Sequence, residues 1–350
     1  MKTTVIGSFP YDTDFPNWFK INDNQTGLAE KSNIKSYNEF IKKNINDYNF
    51  EKKIKEVINL MEELGIDYYT NGEVGRENYI HFLIRNWQGV DFDNLEKKTL
   101  RNGAYITELP VIRNKLKNNN PIIYKDWITS SKYSSIKSKL KYTLPGPMTI
   151  YDTIVDKFYN KPFVCMKNIA ININKEIKEL QNNGCTHIQL DEPVYARYPE
   201  NVILYADELL NICFKDITIH KSLHICCGYP DKLEETDYLK SDINSYHKIA
   251  KILDNSIIDS ISIEDAHRHN NLEKLLKLYK NKIIILGVIK IATITLEDTN
   301  YIVNRIQEAL KYISKDRLWI SPDCGLGMLP INIAIQKLKI MQNAVNIVNK

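Results

Sequence analysis

The chain has 350 residues, 43% of them hydrophobic and 26% charged, with a formal net charge of +4 from 47 basic and 43 acidic side chains. This composition excludes the disordered, fibrous and disulfide-stapled classes. The near balance of charge, and a lysine-rich stretch from Lys115 to Lys141 with no interleaved aromatic code, argue against nucleic acid as a partner.

Nowhere does the chain approach ~18 uninterrupted apolar residues, so no membrane span is expected. The opening MKTTVIGSFP reads as a short strand and turn without a basic region and apolar core, which predicts a cytoplasmic protein. In that reducing setting Cys165, Cys185, Cys213, Cys226, Cys227 and Cys324 are expected as buried thiols or metal ligands.

In chain order, strand-like runs are expected at Thr3–Ile6, Asp67–Thr70, Tyr105–Val111, Lys139–Leu144, His187–Leu190, Ile219–Ile225, Ile258–Glu264, Ile283–Val288 and Leu318–Ser321. Apolar positions three and four apart predict helices over Pro162–Asn182, Glu200–Phe214, Asn244–Leu253, Asn271–Asn281, Leu296–Ile313 and Ile331–Val348. This alternation predicts α/β architecture as a single (β/α)8 TIM barrel, one domain over residues 1–350. The surplus strand is assigned to a small hairpin inserted around residues 105–130, where no crossover helix separates the runs Tyr105–Val111 and Pro121–Trp127.

Barrels of this kind keep their chemistry at the C-terminal ends of strands. Four candidate metal ligands fall there: His224 and Cys226 in HICCG, Glu264 in SISIED and Cys324 in SPDCG. Residues two apart in a strand share a face, so His224 and Cys226 point together while Ile225 and Cys227 point away. Likewise Glu264 joins Ser262 on the face opposite Ile261 and Ile263. Two thiolates, an imidazole and a carboxylate suit zinc, and their origin in three separate strand ends favours a catalytic over a structural site.

These segments, with VIGSFP at 5–10, NGEVGR at 71–76, LPGPMT at 144–149 and IQLDEP at 188–193, resemble the catalytic barrel of cobalamin-independent methionine synthase and its short single-barrel relatives over nearly the whole chain. The resemblance implies that His224, Cys226, Glu264 and Cys324 ligate Zn2+, and that Ser8, Glu73 and Asp191 hold homocysteine by its carboxylate and amino group. The residue types agree. Two carboxylates suit an ammonium, and the amides around Gly7 and Ser8 could hold a carboxylate as a nest.

The sequence departs from the family where the methyl donor is handled: Asp152 falls near the stacking tryptophan and Ala292 at the catalytic histidine, and Pro145 replaces the threonine of the Thr-Gly-Pro turn. His267 and His269 are the candidates for a replacement proton relay. The expected function is methyl transfer to homocysteine, from methyltetrahydrofolate or a methylated corrinoid, which brings in a corrinoid protein as a candidate partner. Two alternatives are alkyl transfer to another thiol such as coenzyme M, for which Lys290 would be the distinguishing basic residue, and a non-catalytic zinc- or thiol-binding relative.

Overall fold

The computed structural model describes residues 1–12, 34–44, 50–103, 105–230, 232–235 and 239–350. Among them the strands are β1 (Lys2–Thr3), β2 (Gln88–Leu100), β3 (Tyr105–Lys117), β4 (Tyr142–Pro145), β5 (Val155–Asp156), β6 (His187–Asp191), β7 (His220–Ile225), β8 (Ser260–Ile263), β9 (Ile283–Ile289) and β10 (Leu318–Pro322). Seven form a curled parallel sheet in the order β1-β10-β9-β8-β7-β6-β4. The segment predicted as strand Asp67–Thr70 bridges the two outer strands, pairing Tyr68 with Thr4 on one side and Tyr69 with Leu140 on the other.

Parallel strands covered by crossover helices are buried on both faces, which explains apolar runs such as IIILGVI in β9, buried from Ile284 onward. The covering helices bury one stripe each. In Pro162–Asn182, opened by a proline in its first turn, the buried set includes Cys165, Met166, Ile169, Ile173, Ile177 and Leu180. Thr299–Ala309 begins later than the expected Leu296 because Asp298 caps it, its side chain accepting from Tyr301 N at 2.9 Å. Similarly, the predicted helix Asn271–Asn281 is reduced to Leu272–Leu276, with Asn271 as its cap.

The inner face of the sheet is polar. His187 Nε2 shares a hydrogen bond with Ser222 Oγ at 2.6 Å, Ser222 with Ser260 at 2.5 Å, and His220 Nε2 with Ser260 at 2.9 Å. Alternation along each strand therefore turns His220, Ser222 and His224 inward and Leu223 and Ile225 toward the helices.

The inserted hairpin is real but lies elsewhere than expected. It spans 88–117, with β2 antiparallel to β3 and β5 added parallel to β3. Pro121–Trp127 is not its second strand; most of it lies in the helix Ile123–Ser131, which buries Ile123 and Trp127 one helical turn apart. The true partner, QGVDFDNLEKKTL, escapes a strand reading because it is largely polar and its register shifts between Asp91 and Glu96.

Candidate thiol and metal site

A cavity opens at the C-terminal ends of the sheet strands and is lined by Gly7, Ser8, Glu73, Asp191, His224, Cys226 and Cys324, among others. Ligand atoms of His224, Cys226 and Cys324 all lie within 4.8 Å of one another. His224 is oriented by its other ring nitrogen: Nδ1 meets Ser262 Oγ at 3.0 Å, which leaves Nε2 at 3.3 Å from Cys324 Sγ. Such an outer partner fixes ring orientation in metal-binding histidines.

Hydrogen bonding from Cys324, reinforced by His224, holds the Cys226 thiol well below its ordinary range, and the same contact pushes Cys324 up. Burial pulls His224 down, but hydrogen bonding to Cys226 and its charge override this and leave the imidazole raised.

Glu264 stands apart from this cluster. Lys240 Nζ donates to both its oxygens at 2.7 and 2.9 Å, and the backbone N–H of Cys227 donates to Oε2 at 2.9 Å. The loop carrying it is gripped from the end of β10, two strands away in the sheet: Asp323 accepts from the amides of Asp265, Ala266 and His267 at 2.8–2.9 Å. Burial, and then the charge of Glu264, push Asp323 up to about 7.

On the opposite wall Glu73 adopts φ +57°, and its Oε1 accepts from Thr143 Oγ1 at 2.7 Å and from Arg76 at 3.3 Å. The first strand can approach this carboxylate only because residue 7 is glycine; a Cβ there would lie 2.6 Å from Glu73 Oε1. Asp191 is pushed up to about 7 by burial and by Glu73 nearby. Its neighbour Glu192 faces away and anchors the LPGPMT turn, accepting from the amides of Met148 and Thr149 at 3.0 and 2.9 Å.

His267 and His269 do not line this cavity; each borders a separate one beyond the loop after β8, His267 beside Ala292 and His269 beside Tyr301. Burial lowers His267 to about 4. Lys290 sits with them, its backbone amide bonded to Glu297.

Sequence reasoning missed Tyr79, Arg101, Arg197 and Tyr229, all of which line the cavity. Arg101 comes from the tip of the hairpin, far from any recognised motif. Arg197 pairs with Asp152 at 3.0 Å, so the residue standing near the family's tryptophan position is part of an ion pair at the cavity wall.

A curled parallel sheet that gathers two thiols, an imidazole and carboxylates at its strand ends defines a protein of the parallel α/β class with a candidate metal centre. The chain belongs to the family described as "Cobalamin-independent synthase, Catalytic domain", whose model matches residues 1–346.

Methionine synthase from Sulfolobus acidocaldarius is 28% identical, the match covering 97% of this chain and 89% of that protein. Methionine synthase from Pyrococcus abyssi is 27% identical over 100% of this chain and 93% of the relative. In fold, the chain is similar to a B12-independent methionine synthase from Shewanella sp. W3-18-1 solved in complex with selenomethionine, with a TM-score of 0.84, 24% identity, and coverage of 99% and 97% of the two chains. No helix among the described residues is long and apolar enough to cross a membrane.

Proposed function

We propose that this chain is a zinc-dependent methyltransferase that moves a methyl group onto the sulfur of homocysteine and so forms methionine. The observation that carries the reading is the thiol–imidazole cluster of His224, Cys226 and Cys324, set in one cavity with Glu73 and Asp191. Its donor set fits zinc, and Ser262 behind His224 is the kind of outer partner a metal-bound imidazole needs. His224, Cys226 and Cys324 would hold the ion, with Glu264 entering as a fourth ligand once it leaves Lys240; zinc there would keep a substrate thiol ionised and nucleophilic at neutral pH.

The remaining roles belong to the chain. Glu73 and Asp191 bind the ammonium of the amino acid, and Gly7 and Ser8 receive its carboxylate, which fixes the sulfur's approach to the cluster. Two carboxylates in the cavity favour an amino-acid thiol over a sulfonate thiol, and Lys290, in a different cavity, gives the latter no support. The bridges at Tyr68 and Tyr69 support closure of the sheet into one (β/α)8 barrel spanning residues 1–350. The six free thiols fit a reducing cytoplasm.

The test is elemental analysis of the wild type and Cys324→Ser, together with homocysteine methylation assays offering methylcobalamin and methyltetrahydrofolate separately. About one zinc per chain, lost in the variant, and methionine from either donor is the expected result. A metal-free wild type purified without chelators would overturn it.

A further inference from the structure

Behind the two cavity carboxylates lies a lysine that the reaction as proposed does not use. Lys141, 1% exposed and just before β4, points into the polar interior of the sheet, where its Nζ donates to Gln189 Oε1 at 2.5 Å. A lysine can only donate, so the oxygen of the Gln189 amide must face it. The amide's NH2 group is thereby turned to the other side, where Nε2 donates to Ile6 O at 3.0 Å and to Asp191 Oδ1 at 2.6 Å. Gln189 and Asp191 are two apart on β6 and share its inward face.

We infer that Lys141 is a positioning residue for the amino group of the thiol substrate: through Gln189 it commits one oxygen of Asp191 inward and leaves the other for the substrate ammonium. This rests on the reading of Glu73 and Asp191 as the ammonium site. Without the lysine, the buried Gln189 oxygen loses its donor and the amide is held only through Ile6 O and Asp191 Oδ1, so its grip on Asp191 is less firmly set. Selection for the amino group of the substrate would therefore reside partly in a side chain that never touches it.

The experiment is calorimetric titration of the zinc-loaded full chain with homocysteine and with 4-mercaptobutanoate, the same thiol lacking the amino group. Lys141→Met is expected to weaken homocysteine binding by about tenfold while leaving zinc content and 4-mercaptobutanoate affinity at wild-type values. Gln189→Leu breaks the chain at its next link and is expected to show the same selective loss. This second variant serves if the first does not fold. Equal loss for both thiols, or unchanged homocysteine affinity, overturns the role of Lys141 alone. A wild type that binds zinc but no homocysteine overturns the ammonium site as well.

Discussion

The ammonium of Lys240 bridges both oxygens of Glu264, at 2.7 and 2.9 Å, and both side chains are almost closed to solvent. Removing one partner of such a pair leaves an uncompensated buried charge, at a cost of about 3–5 kcal/mol. Lys240→Met is therefore expected to destabilise the metal-free chain by about 3 kcal/mol in denaturant unfolding. Added zinc should recover part of that loss, because Glu264 then gains another cation. An equal loss with and without zinc would remove Glu264 from the ligand set.

Gly7→Ala tests the close approach of the first strand to Glu73. The new Cβ would fall 2.6 Å from Oε1, so the carboxylate must move away from its bond to Thr143. Homocysteine affinity should fall by about tenfold or more, as for loss of a charge-assisted hydrogen bond. Zinc content should be unchanged. Calorimetry and elemental analysis on the same preparation check both.

The pH dependence of substrate binding follows from Asp191. Its carboxyl is raised to about 7 by burial and by Glu73, so it is neutral below that pH and ionised above it. Only the ionised form pairs with an ammonium. Affinity for homocysteine is expected to rise by about tenfold between pH 6 and 8, and Asp191→Asn to flatten the profile. A wild-type affinity that falls over this interval would contradict the assignment.

Arg101 lines both the thiol cavity and the larger groove beside it, which Arg197, Lys240 and Lys248 also border. Arg101→Ala is expected to raise KM for the methyl donor while leaving zinc content and homocysteine affinity intact. Steady-state kinetics with either donor, alongside homocysteine titration, distinguishes this from damage to the thiol site.

The regular second half of the fold is legible from sequence because its strands are apolar on both faces and its helices carry a single buried stripe, as in Ile283–Ile289 and Pro162–Asn182. Motif spacing places His224 and Cys226 on one face because alternation along β7 is strict. What resisted reading was set by side chains that choose partners across space. Glu264 turns to Lys240, a residue 24 positions earlier on a separate loop. Arg101 reaches the cavity from a hairpin whose first strand is too polar to advertise itself. Lys141 is the last member of the lysine-rich stretch from Lys115, and nothing in that stretch marks its burial, which depends on the inward face of β4 and β6.

Asp323 precedes Cys324 directly and holds three consecutive amides after Glu264, while Gly287 leaves room for its carboxylate, since a Cβ there would lie 2.2 Å from Oδ1. The cysteine and the glutamate are in this way mounted on a common bracket. A lengthened or shortened stretch between Glu264 and His267 would misalign both at once, so tolerance to insertion in this loop begins only beyond His267, and a variant of Asp323 should loosen two candidate ligands with one substitution.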